Sequence, residues 1–455
     1  MFSPMKKGFV CLLFVTALFL PRCKPQVDEL TPSTGSARLN NPVFIGDNFL
    51  SGYQDGALTA DGWQRSVAVQ LANQFRKADQ SAPVVDQFWL AANSSIGWNS
   101  KPWETWYTTA SKLGDRTDCE GVTSLGPVKQ NLSLTEAQSL LVQRYNPHFL
   151  TVPFATTNDW FDPALGSSPF SDNHNPFYFP IAANPGVSTL AAEARNQQPG
   201  FAAVWLGMEN IYSYARRGGV GAPIIPASTF AAQLDSILGP MVANGAKGVI
   251  ANIPGFRNFP YYTLVPWNGA DLTQSKADSL NDIYTVSGLT HIVFHEGANG
   301  FVIDDANAPF GVRQMHDGEY ITLSVPLDSM KCDYMGILFS TIPDQYSLDS
   351  AEVATIDAAI AAYNTVIAQK ALQYGFALVD MNSYFQSVQA GVVVDGVDVN
   401  GEFVSGGFYS LDGYHPHQKG YAMITNEFIK AINAKYGATV PTLYCEDCNG
   451  VLFPN

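Results

Sequence analysis

The sequence predicts an α/β fold built on an open, doubly wound, mainly parallel sheet. Three observations carry that expectation. Apolar runs of near-continuous hydrophobic character each stop at a polar turn, as strands buried on both faces do. Stretches with a helical period alternate with them. The chain has 455 residues, 46% hydrophobic and only 14% charged, enough apolar material for a large core.

In chain order, Val43–Ile45 ends at Gly46, and a helical period runs from Trp63 to Phe75. Phe201–Leu206 ends at Gly207, Gly248–Ile253 at Pro254, and Phe376–Val379 at Asp380. Asp349 and Glu352 form a capping-box-like start, followed by Val353, Ile356, Ile360, Tyr363 and Ile367 on one helix face until Gly375. A last helix spans Ala422 to Tyr436, with Phe428, Ile429 and Ile432, and stops at Gly437. Residues 77–175 are rich in Trp, Asn, Ser and Pro and read as an insertion over one end of the sheet. Thr290–Leu327 alternates like strands and reads as a smaller hairpin subregion.

Lys6 and Lys7 precede an apolar run, Gly8–Leu20, too short to span a bilayer. Residues 1–22 therefore read as a secretion signal. Cys23 follows in the context Leu20-Pro21-Arg22-Cys23, which resembles a bacterial lipoprotein signal with Cys23 lipidated, although Arg22 stands where a small residue is usual. Residues 23–40 read as a polar tether and 41–455 as the folded domain. The expected location is a bacterial cell envelope, with the membrane reached through the lipid anchor. The formal charge of −15, from 25 basic and 40 acidic residues with no Lys/Arg run, argues against a nucleic-acid partner.

Beyond Cys11 and Cys23, four cysteines remain: Cys119, Cys332, Cys445 and Cys448. An exported chain allows them three pairings. Cys445-Glu-Asp-Cys448 has C-x-x-C spacing but lacks the second pair of a zinc ribbon, so a structural disulfide is expected there.

The segment Val43-Phe-Ile-Gly-Asp-Asn-Phe-Leu-Ser-Gly-Tyr-Gln-Asp-Gly56 reads as a strand, a glycine turn and a helix start. It resembles the first block of the GDSL/SGNH ester hydrolases, in the form found in Bacteroidetes lipoproteins. Pro185–Ser188, Val204–Gly207, Ala251–Pro254, Asn299–Ile303, Ile342–Asp344, Ser410–Pro416 and Asn426–Ile432 extend the resemblance over nearly all of residues 37–455. The resemblance implies a three-layer α/β/α sandwich of flavodoxin-like type and a serine-dependent ester hydrolase, with no metal and no cofactor.

It also implies site residues. Asp412 and His415, three apart before the final helix, occupy the family's acid–base position: the histidine takes a proton and the carboxylate fixes its tautomer. A hydrogen-bonded pair that merely fixes the loop is the plainer reading. The nucleophile position holds Asn48, whose carboxamide cannot be deprotonated by histidine or form an acyl-enzyme. The oxyanion glycine falls at Phe154, whose bulk is expected to crowd the backbone N–H. In the block Gly207-Met-Glu-Asn210, Glu209 replaces an asparagine donor by an acceptor.

Ser51 lies one helical turn past Asn48 and is not expected to replace it; G-x-S-x-G is absent. His291 and His295 are spaced as metal ligands on a helix would be, but Ile292, Val293 and Phe294 suggest a strand. His417 is a second histidine close to the site. The aromatics Trp89, Trp98, Trp103, Trp106 and Tyr107 read as cover for the insertion ahead of a ligand platform. The leading expectation is a catalytically impaired, ligand-binding lipoprotein whose ligand is an acylated glycan or lipid. The alternatives are an active esterase on acyl or acetyl esters of lipids or glycans, and a structural lipoprotein with a filled cleft.

Overall fold

Five apolar segments pair into one sheet: β1 (Pro42–Gly46), β2 (Phe149–Thr151), β3 (Phe201–Trp205), β4 (Lys247–Ala251) and β5 (Ala377–Val379). All pairings are parallel and the strand order is β2-β1-β3-β4-β5. Ile45 stands opposite both Leu150 and Val204, and Val204 opposite Ile250. That order is flavodoxin-like, and it places the topological switch point between β1 and β3, where ligands collect in such sheets. The computed structural model describes residues 31–82, 95–101, 104–129, 148–167, 174–338 and 340–453. The expected leader, Cys23 and residues 23–30 of the expected tether lie outside the described residues; the rest of that stretch is no free tether, because Ala37 and Leu39 are buried in the main core and Ser36 N–H donates to Tyr436 O at 2.9 Å. Pro32–Asn455 forms one compact unit. Among the described residues, no helix is long and apolar enough to cross a membrane.

The helices that matter for the site are α1 (Asn48–Ser51), α2 (Val67–Ala78), α3 (Met208–Ala215), α4 (Ala227–Ala243), α5 (Ser350–Tyr374) and α6 (Gln418–Tyr436). α2 packs on α6, α4 packs on α5, and both α5 and α6 touch β4 and β5, which makes three layers. Every residue of β1 and β3 is buried, as strands covered on both faces must be. Trp205 fills the middle of the core, with ring centroids 5.4 Å from Phe49 and 5.9 Å from Phe428.

Local chemistry sets the helix ends. α5 begins with a capping box, Glu352 N–H donating to Asp349 Oδ1 at 2.7 Å and Asp349 N–H to Glu352 Oε2 at 2.8 Å. The expected helix from Trp63 to Phe75 is two pieces, Ala60–Gln64 and α2, because Ser66 leaves the helical backbone and caps Val69 N. The last helix starts at Gln418, ahead of the expected Ala422, immediately after His417 at its N-cap.

Residues 77–175 are not one insertion. They supply the edge strand β2 and the fully buried Trp160 of the main core, while the hairpin Ser111–Thr117/Thr123–Lys129 is the added part. Trp89 and Trp103 lie outside the described residues, as do the side chains of Trp98, Trp106 and Tyr107. The hairpin expected in Thr290–Leu327 is formed by Val302–Asp304 and Val312–Gln314. His291 to Glu296 is irregular backbone, neither strand nor helix. His291 Nε2 lies 2.9 Å from Val312 O.

The cysteines also differ from expectation. Cys119 and Cys332 form a disulfide, whereas Cys445 and Cys448 are buried free thiols. Cys445 begins a short 3-10 turn, and its Sγ accepts from Asn426 Nδ2 at 3.5 Å.

Candidate functional site

Three loops meet at the carboxyl ends of β2, β1 and β3, carrying Phe154, Asp47-Asn48 and Gly207-Glu209. Asp47 joins two of them. One carboxylate oxygen accepts from Phe49 N at 3.4 Å and caps α1, and the other accepts from Glu209 N at 3.3 Å. Burial pushes the Asp47 carboxyl up to about 7, the neighbouring negative charge of Glu209 adds to the rise, and the two N–H groups and Arg216 oppose it.

Asn48 opens α1 and is 1% exposed. Its Oδ1 accepts from Phe154 N at 2.6 Å, and its Nδ2 lies 3.0 Å from His415 Nε2. Only the amide oxygen can accept from a backbone N–H, so the amide nitrogen faces the histidine and donates to it. His415 Nδ1 lies 2.8 Å from Asp412 Oδ2. Asp412 also accepts from Tyr414 N at 2.9 Å, His415 N at 2.8 Å, Ser410 Oγ at 3.0 Å and Gly56 N at 3.1 Å. Burial alone would raise this carboxyl, but His415 and the surrounding N–H donors hold it at about 2. The carboxylate therefore takes the Nδ1 proton as a hydrogen bond and leaves the Nε2 lone pair for Asn48.

The backbone at Phe154 has φ +64°, the left-handed region that favours glycine. A side chain there costs ~1–3 kcal/mol. Its ring packs 5.1 Å from Tyr53 and 6.1 Å from Phe177. The expected crowding of the N–H does not occur. That N–H is exposed to the site, and the Asn48 side chain takes it. Gly207 has φ +101°, and a Cβ there would meet Phe230 Cζ at 2.8 Å, so glycine is required to start α3 at this point.

Glu209 does not aim at Asn48 as an oxyanion partner would. Its Oε1 lies 2.5 Å from Arg216 Nη2. Arg216, which the sequence reading missed, lies 5.7 Å from the Phe154 ring and 5.1 Å from the Tyr414 ring. Desolvation is the largest influence and works against its charge, but Glu209 together with Tyr414 and Tyr262 outweighs it and the pKa is raised. The signal available in the sequence was the spacing: seven residues are two helical turns, which put Glu209 and Arg216 on one face.

The remaining candidates take supporting places. Ser51 Oγ donates to Asn48 O at 2.8 Å. His417 Nδ1 lies 2.8 Å from Asn449 O and its Nε2 3.8 Å from Asp55. Burial lifts Asp55 to about 6 against the pull of His417. His415 is 4% exposed, with the rings of Tyr414, Tyr53 and Phe49 centred 4.7, 4.9 and 5.4 Å away. The arrangement thus holds an oriented base and a backbone donor, joined by a carboxamide that cannot attack. Among the described residues, no cluster of three or more His, Cys, Asp or Glu is placed to hold a metal.

No protein-family model matches the chain, and no curated protein matches it. Among solved structures it is similar to LAE5, described as an α/β hydrolase enzyme from the metagenome of Lake Arreo, Spain. The identity is 10%, the match covers 88% of this chain and 97% of that one, and the TM-score is 0.36.

Proposed function

We propose that this chain is an SGNH-type hydrolase fold whose ester-cleaving site has been retired, and that it serves an envelope as an exported, Cys23-lipidated binding protein for an acylated lipid or glycan. One observation carries the loss of catalysis. Asn48 occupies the nucleophile position and bridges His415 Nε2 and the Phe154 N–H with its own amide. The base faces an amide proton that it cannot remove, and the donor that would meet an oxyanion already holds a carbonyl. The strand order and the meeting of Asn48, Phe154, Gly207, Asp412 and His415 at the switch point support the family reading.

A second reading, an active esterase, is favoured by the complete Asp412–His415 pair. Hydrolysis of short-chain nitrophenyl esters and acetylated sugars by wild type, Asn48→Ser and His415→Ala separates the two. Wild type is expected to be silent. Asn48→Ser should gain turnover that disappears on adding His415→Ala, because the Phe154 N–H and Nε2 are both freed. Wild-type turnover abolished by His415→Ala would overturn the proposal.

A further inference from the structure

Residues 265–342 hold two small apolar clusters beside the main core. Phe301, Ile303 and Met330 belong to one and Leu272, Leu280 and Phe294 to the other, and Ile337 packs against both. The clusters do not close on each other. A cavity of about 730 Å³ lies between them, within the size range of small-molecule sites, and none of its lining residues belongs to the Asn48–His415 cluster.

Its walls are unlike its rim. Leu280, Ile283, Phe301, Leu327 and Met330 are among the lining side chains, and Ile283 and Leu327 are 38% and 36% exposed. An occupant would remove this surface from water. The polar lining residues Ser275, Lys276 and Ser279 come from one place, the first turns of the helix Gln274–Val286. The Lys276 ammonium has no partner among the described residues, in a chain of net charge −15. Lys331 is already paired with Asp118 and Glu120, at 2.5 and 3.0 Å. Asp271 also reaches the rim, but the buried-exposed-buried pattern of Ala270–Leu272 sets it on the opposite strand face from Ala270 and Leu272.

The cavity is also held open. The wall helix Leu327–Cys332 is tied to the hairpin at 111–129 by the Cys119–Cys332 disulfide, the Lys331–Asp118 pair and an Arg116–Asp328 pair at 2.7 Å. A wall tied to a neighbouring hairpin is held in place, so an occupant meets a preformed site.

We propose that this cavity binds a single-chain amphiphile: an unbranched aliphatic chain between Leu280, Phe301 and Met330, ending in a carboxylate at Lys276. The site stands whether or not Asn48 supports catalysis. Displacement of the fluorescent fatty acid cis-parinarate from the full chain by octanoate, decanoate and dodecanoate tests it. Affinity should tighten about fourfold per added methylene. Leu280→Trp, which fills the cavity, and Ile283→Asp, at the partly exposed mouth, should each weaken dodecanoate at least tenfold. Ile283→Asp should keep the wild-type melting temperature, which separates loss of the site from loss of the fold. Lys276→Glu should weaken dodecanoate a few-fold and shift preference toward dodecyltrimethylammonium. No displacement (the outcome if a segment of the chain itself fills the cavity), a flat chain-length series, or binding untouched by both cavity variants would overturn the proposal. A wild-type preference for the ammonium head would overturn the assignment of the head group.

Discussion

Around Asn48 the protein satisfies its own site, with amide, imidazole, carboxylate and backbone donor joined in one chain of hydrogen bonds under aromatic rings. Between the two satellite clusters the opposite holds: apolar walls stand apart, and a disulfide and ion pairs keep them so. The first region holds a histidine–aspartate pair and a backbone donor, both already engaged by Asn48. The second has room and no reactive group. One region thus has its hydrogen-bonding groups satisfied and the other has apolar surface left over, and function has to be argued from the site.

The largest effect that could break this comparison is a packing difference. Trp205→Ala opens a closed void in the main core and should cost ~3–5 kcal/mol in urea unfolding. Leu338→Ala only widens a cavity already open and should cost less than about 1 kcal/mol. Equal costs would mean that the satellite region is packed like the core. Next in size is the disulfide, which closes a span of 213 residues. Replacing both Cys119 and Cys332 by Ser should cost ~2–4 kcal/mol. It should also raise hydrogen exchange first in Leu327–Cys332, leaving β1 and β3 protected.

The last test is a pH profile. Asp47 and Asp55 have pKa values raised from 3.8 to about 7 and about 6, so their contribution is fully present below 3.8 and is lost as pH rises through 6 to 7. Asp412 is lowered to about 2, so its contribution is present above 3.8 and is lost as pH falls through 2. That contribution is on the order of 2 kcal/mol. The melting temperature should peak between these limbs. Asp47→Asn should flatten the alkaline limb and Asp412→Asn the acid limb. A profile unchanged by either variant would show that these carboxyls are not held as the structure places them.

Much of the fold was legible because β1, β3, β4 and β5 are apolar runs closed by Gly46, Gly207, Pro254 and Asp380. β2 was not, because three residues, Phe149–Thr151, carry no period and sit in an aromatic-rich stretch. Asp412, His415 and Asn48 were readable from their motifs and lie in contact. What the motifs could not give was direction. Phe154 was expected to obstruct with its side chain, yet the left-handed backbone turns its N–H toward Asn48. Glu209 was expected to repel an oxyanion, yet Arg216, seven residues on, neutralises it.

The amide of Asn48 has a consequence beyond the missing hydroxyl. It is a tethered occupant of both partners, its carbonyl on the backbone donor and its nitrogen on the imidazole. Because it is part of the chain, its effective concentration is in the millimolar range or above. Any carbonyl arriving from solution has to displace a rival that never diffuses away.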